Sequence, residues 1–257
     1  MKTEKKYKLT DEFIIIDDKK LYRIEALIDF SNVKKGDKGG FIESENNLSH
    51  NGNCWVYDDA EIFDNARILN NAKISGNAKV YGDAKIDGNS GVYDSAKVYG
   101  NSEVYGNAII SGNATVFDHA KVCGNAMIFG NSEIYDYATV FGNSEVYGNA
   151  SIYGNATVYS DIKYYPKIYG NVDIFGDTEI YGNAVVSSNS DYIIFKNWWS
   201  SGRIFTWTRS NNMWRVGCFY GKGQELIDKA YEDSEPSGRE YERVVKYVKS
   251  ILQENGQ

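Results

Sequence analysis

The sequence predicts a mainly β protein: a solenoid of short parallel strands wound into triangular coils, with a β-hairpin at its start and a small α+β cap at its end. Three observations carry this prediction. A β-branched residue recurs every sixth position without a gap from Val56 through Ile62, Ile68 and Ile74 to Ile152 and Val158, eighteen units in all. A small residue, Ala or Ser, follows four positions after each of the first seventeen, from Ala60 to Ala156. Gly-Asn or a near equivalent separates most of the units. A period of six over eighteen units marks an architecture in which each unit buries its apolar side only by stacking on its neighbours.

Alternation along a strand points the Val/Ile and the small residue two before it inward, and the residue after the Val/Ile outward. Gly and Asn both tolerate positive φ and so supply the corners, where Asn side chains on successive coils can bond along the axis. Three six-residue sides close a coil of eighteen residues. Eighteen units then make six coils, a prism of roughly 25 to 30 Å at about 4.8 Å per coil. Each inward Val or Ile stabilises the prism by about 1.5 to 3 kcal/mol before conformational entropy is subtracted.

The order aliphatic, any residue, two turn residues, small residue resembles the left-handed β-helix of hexapeptide-repeat proteins. The left hand is implied by that resemblance alone, since parallel crossovers are otherwise right-handed. A more specific likeness lies upstream, in Asp29-Phe-Ser-Asn-Val-Lys-Lys-Gly, Gly39-Gly-Phe-Ile, Leu48-Ser and Gly52-Asn-Cys-Trp-Val-Tyr-Asp. These stretches resemble the lead-in segment of a family of bacterial and phage-borne hexapeptide-repeat proteins whose members are often labelled acyltransferases. The likeness covers roughly residues 20 to 190 and implies a phage or bacterial source. It carries over no active-site residue.

Composition limits the classes of function. The chain has 257 residues, 42% hydrophobic and 25% charged, with a net charge of -7 that disfavours a nucleic-acid backbone as partner. No run of eighteen apolar residues is present and the first residues lack an apolar core, so neither a membrane span nor export is expected. Cys54, Cys123 and Cys218 are odd in number and lack metal-ligand spacing, which suits free thiols in a bacterial host's reducing cytoplasm.

Along the chain, residues 1–47 are expected to form a hairpin and lead-in cap, 48–190 the β-helix and 191–257 the C-terminal cap. Residues 12–30 carry two apolar runs joined at Asp17-Asp18-Lys19-Lys20. Gly36, Gly39 and Gly40 match no nucleotide fingerprint, since no helix follows, and are expected to turn the chain into the first coil. After Tyr159 the period slips: ten residues instead of six separate Ala156 from Pro166, a four-residue excursion from the wall. Surface insertions of that size are tolerated. In hexapeptide acyltransferases, however, such loops help wall the neighbouring subunit's active site. From Asp191 onward three strands in a meander are expected, then two helices, the second capped by Ser237 with Glu240 three residues on.

The residues gather no catalytic constellation, and neither a cofactor nor a metal is expected. The hexapeptide resemblance implies a histidine base, and the chain offers only His50 and His119. His119 fills a corner slot that is Asn in most units, and His50 falls in the inward register of an imperfect first unit; a positioned base needs partners that are not visible around either. Ligand binding has better support in the cap, where Trp198, Trp199, Arg203, Trp207, Arg209, Trp214 and Arg215 combine planar rings with guanidinium groups. Such pairs stack on rings and grip phosphates or carboxylates, although aromatics also dominate small cores. For self-association the candidate surface is one prism side that collects Phe63, Tyr81, Tyr99, Phe117, Tyr135 and Tyr153 without a break. The other sides are interrupted by Ser75 and Ser111, or by Leu69, Asp87 and Cys123. A continuous aromatic stripe is unusual on a monomer, so a homo-oligomer is expected, trimeric first and dimeric second. The resulting expectation is a non-catalytic scaffold that binds a partner protein or a small ligand, a host signalling nucleotide included, with a trimeric acyltransferase using acyl-coenzyme A as the alternative.

Overall fold

The computed structural model describes residues 5–161, 163–197 and 201–254. The chain opens with an antiparallel hairpin, β1 (Tyr7–Ile16) and β2 (Lys19–Ala26), whose two-residue turn places Asp17 and Asp18 at φ 47° and 62°. That left-handed pair matches the twist of the flanking strands. β2 pairs antiparallel with β3 (Lys38–Ile42), and β3 pairs in parallel with Glu61–Ile62. The lead-in cap therefore continues one wall of the prism as a single ten-stranded sheet. Gly39 and Gly40 serve this junction: a Cβ on either would lie 2.5 Å from a carbonyl oxygen, of Val56 and of Ala60 respectively.

The prism is a left-handed parallel β-solenoid with walls of ten, eight and seven strands. Its strands are mostly two residues long and pair with a step of eighteen, as in Val98 with Val116 and Val104 with Val122. The inward Val and Ile residues are fully buried from Val56 to Val186, and so are the Ala residues at the small position. Where that position is hydroxylated, the polar group is satisfied inside its own turn. Ser102 Oγ donates to Tyr99 O at 2.8 Å and Ser144 Oγ to Phe141 O at 2.7 Å.

The corners explain the choice between Gly and Asp. Most hold glycine near φ 70°, but Asp58, Asp64, Asp94 and Asp136 take the same left-handed conformation. Each accepts a hydrogen bond from the glycine amide one coil on, for example Gly112 N to Asp94 Oδ2 at 2.9 Å. The neighbouring slot carries the Asn stack expected from the repeat: Asn71, Asn89, Asn107, Asn125 and Asn143 bond in sequence at 2.9 to 3.1 Å.

The cap is an antiparallel sheet of Tyr192–Lys196, Ile204–Thr208, Met213–Val216 and Phe219–Gly221, covered by α1 (Gly223–Asp233) and α2 (Glu235–Glu254). Two expectations are corrected. The third predicted strand is a hairpin, because Gly217 at φ 55° breaks it. The second helix begins at Glu235, so Ser237 lies within its first turn. Ser234 is the cap, accepting the Ser237 amide at 3.2 Å, and Pro236 sits in the first turn, where a missing N–H costs nothing. All three cysteines are free. No helix among the described residues is long and apolar enough to cross a membrane.

Candidate functional site

The aromatic column forms as the repeat dictates. Tyr81, Tyr99, Phe117, Tyr135 and Tyr153 stack in near-parallel pairs with centroids 4.7 to 5.1 Å apart, and Phe175 extends the column at 5.7 Å. Every ring from Tyr81 to Tyr153 is half-buried, and burial raises the phenols of Tyr81, Tyr99 and Tyr135 above their ordinary range. Phe63 departs from expectation. It stacks on Tyr81 at 4.9 Å but is only 6% exposed, since the hairpin folds back and packs Leu21, Ile14 and Ile16 around it. The accessible stripe thus begins at Tyr81. On the other two sides, columns form only toward the C-terminal end, as Phe129–Tyr147–Tyr169 and Phe141–Tyr159–Tyr181.

Both histidines are engaged in stacking. His50 lies on Tyr7 with centroids 4.4 Å apart, its Nδ1 accepts the Lys6 amide at 3.2 Å, and its Nε2 is 3.6 Å from Glu45. The prism interior does not contain it. His119 is exposed at a corner and stacks on Tyr137 at 4.9 Å. Because Asn101 and Asn155 hold this slot on nearby coils, His119→Asn is expected to change stability by less than about 0.5 kcal/mol, read as an unshifted urea midpoint.

The four-residue excursion packs against the cap. Ser160 turns inward, where its Oγ accepts the Asn143 amide at 3.0 Å, Asp161 accepts a hydrogen bond from the Tyr181 hydroxyl, and Tyr164 stands edge-on to Tyr181 and Tyr220. Arg215 sits in this cluster, bonded to Glu179 at 2.8 Å and 5.4 Å from the rings of both Tyr159 and Tyr181. It is therefore a docking residue between cap and prism. Arg215→Ala is expected to cost about 2 kcal/mol and to expose the cap to limited proteolysis before the prism.

The remaining predicted ligand residues divide between surfaces. Trp207 and Trp214 are each 2% exposed in the cap core, beside Phe205, Leu226, Tyr241 and Val245. Arg209 lies at the seam with Asp191, whose carbonyl accepts its amide at 2.8 Å. Burial pushes the Asp191 carboxyl up, but hydrogen bonds from Ser187 and Ser188 and the charge of Arg209 outweigh it and hold the group below its usual range. Arg203 is exposed immediately before the strand Ile204–Thr208. Trp198 and Trp199 lie outside the described residues. The set divides because Trp214 and Arg215 are neighbours that face opposite ways, one toward the helices and one toward the prism, and because Arg203 and Arg209 flank the strand Ile204–Thr208 at its two ends while Trp207 is buried in its middle.

Among the described residues, no group of three or more His, Cys, Asp or Glu side chains is placed to hold a metal ion. The chain matches no protein-family model and no curated protein.

Proposed function

We propose that this β-solenoid is a scaffold that associates with copies of itself through the side bearing Tyr81 to Tyr153, as a trimer first and a dimer second, and that its cap serves a partner protein or a small ligand. The observation that supports this most is the column itself, five half-buried rings in register on a flat wall. The resemblance of the lead-in segment to phage-borne proteins extends the reading to a bacterial cytoplasm, where the protein would sequester a host signalling nucleotide or obstruct a host protein. Native mass spectrometry of protein purified from its host tests both halves at once. A multiple of the chain mass with a retained small molecule is expected, and a bare monomer overturns the reading.

A second reading, acyl transfer from an acyl-coenzyme A donor between subunits, has the architecture on its side. Left-handed coils with three six-residue sides and an excursion from the wall at residues 160–166 are features it needs, and on fold alone it is the better supported of the two. Against it stand the positions of the histidines, one stacked beneath Tyr7 and one on an exposed corner against Tyr137. Incubation with acetyl-coenzyme A and pooled amine and hydroxyl acceptors separates the readings. The scaffold reading expects thiol release at the background rate. Turnover that disappears in His119→Asn or His50→Ala establishes the enzyme instead.

A further inference from the structure

The cap contains a cleft of about 240 Å³ between the turn at Asn212, the start of α1 and the last turns of α2. We propose that it binds a small carboxylate with a flat or apolar body. Ligand binding by the cap is part of the function proposed above, and this inference rests on that part and not on self-association.

The floor of the cleft is the cross-strand pair Trp207 and Trp214, each 2% exposed. Their indole N–H groups differ. That of Trp207 donates to Asn212 Oδ1 at 2.9 Å, whereas that of Trp214 has no acceptor among the described residues. The Trp214 side chain as a whole is buried, and its unpartnered indole N–H opens on the cleft as a donor that a bound acceptor can use. Beside it α1 begins. A Cβ on Gly223 would lie 3.1 Å from Trp214 Nε1 and 2.7 Å from Val245 Cγ1, and glycine is what lets the helix start so close to the indole.

The amides of a helix's first turn lack acceptors within the helix and form its positive end. Here the N-cap residue is Lys222, whose side chain can only donate, and no side-chain oxygen caps the helix. Glu225 reaches back to the Lys222 amide at 2.7 Å, and the first-turn residues Gly223 and Gln224, whose amides have no acceptor within the helix, line the cleft. Two cations stand at its rim. Lys222 Nζ is held by Asn211 O at 2.7 Å, and Lys249 has no ion-pair or hydrogen-bond partner among the described residues.

Among the described residues no carboxylate lines the cleft, although the chain as a whole carries a net charge of -7. A pocket that offers donors and cations on an acidic protein selects an anion. The wall opposite the rim is Val248 and Leu252, which suits an apolar body. The volume lies below the roughly 300 Å³ at which pockets for drug-sized ligands begin, so the ligand is small.

The test uses the full chain labelled with ¹⁵N and phenylacetate as probe, following the indole N–H resonance of Trp214. Phenylacetate is expected to move this resonance downfield with saturation in the millimolar range, while the neutral isostere phenylacetamide leaves it in place. Lys249→Gln, an exposed change that spares the core, is expected to weaken phenylacetate binding three- to tenfold. Trp214→Phe, followed instead by the backbone amide resonances of Gly223 and Gln224, is expected to weaken it at least tenfold, with the other indole resonances reporting that the cap stays folded. The proposal is overturned if phenylacetate does not saturate, if phenylacetamide binds as well, if inorganic phosphate binds as tightly as phenylacetate, or if Lys249→Gln binds like the parent. Light scattering on the same samples reads self-association separately, so failure of the carboxylate site and failure of assembly are distinguishable.

Discussion

Replacing Tyr99, Phe117 and Tyr135 together with lysine is expected to yield a folded monomer. The stacked rings from Tyr81 to Tyr153 span about 20 Å of one wall, and the three substitutions place ammonium groups on successive coils at its centre. If a second copy covers that wall, each buried and unpaired ammonium costs several kcal/mol, enough to abolish an interface of ordinary size. Folding is protected by the repeat: Ser75 and Ser111 occupy the same outward slot on another wall, and the coils close there with regular pairing. A triple serine variant is therefore the control for loss of the rings without added charge. It is expected to weaken association less than the lysine variant, with circular dichroism unchanged in both. Light scattering decides the matter, and a lysine variant that keeps the parent's mass removes this wall from consideration as the interface.

How far the structure could be read from the sequence depended on how local the determining interactions are. In the prism every inward position repeats the same contact one coil away, so a single unit contains the rule for all of them. The Val/Ile residues, the Ala residues and the Asn stacks fall where the period puts them. The handedness was not in the residues and came from resemblance. The repeat alone marks Phe63 as accessible, whereas Leu21, which covers it from the hairpin, is far away in sequence. In the cap, Phe205 and Trp207 alternate onto one face of their strand, but nothing local says that the helices pack on that face while the face bearing Arg215 meets the prism. The cleft was missed, although it left a signal. Lys222 precedes Gly223-Gln-Glu-Leu-Ile at a position where Ser, Thr, Asp or Asn normally caps a helix, and a helix start without its usual acceptor marks a place where an external anion can serve. Lys6, one of several lysines near the start of the sequence, is 2% exposed, with Nζ donating to Cys54 O at 2.8 Å. Charge at the chain start gave no hint of that burial.

Raising the pH above 10 is expected to unfold the protein cooperatively, because its tyrosines are held protonated by the fold. Tyr7 is fully buried and its hydroxyl donates to Leu48 O at 2.7 Å; burial, with the charge of Glu45 adding to it, pushes the phenol far above its ordinary range. Burial likewise raises Tyr192 to about 12, where its hydroxyl donates to Asp173 O at 2.5 Å. Tyr181 is also pushed up to about 12, chiefly by its hydrogen bond to Asp161. In the unfolded chain these phenols lose their protons near pH 10. The folded state then binds more protons than the unfolded one, and stability present below pH 10 is lost as pH rises toward 12. Each phenol retained in this way costs about 1.4 kcal/mol per pH unit. Tyr7 and Tyr192 together therefore remove about 3 kcal/mol per unit, against a total stability of roughly 5 to 15 kcal/mol. Lys6 acts in the opposite sense. Burial lowers its pKa, and the resulting cost at neutral pH is relieved as pH rises to 10.5, which softens the decline only below that point. Urea unfolding followed by circular dichroism at pH 9, 10 and 11 is expected to show a small change over the first step and a loss of about 2 kcal/mol over the second, since the full slope is reached only above pH 11. Tyr7→Phe should cost about 1 kcal/mol at pH 7 for the lost hydrogen bond, yet flatten the alkaline slope by about 1.4 kcal/mol per unit. Equal stability of the parent at pH 10 and 11 would show that these phenols ionise in the native protein as they do in the unfolded chain.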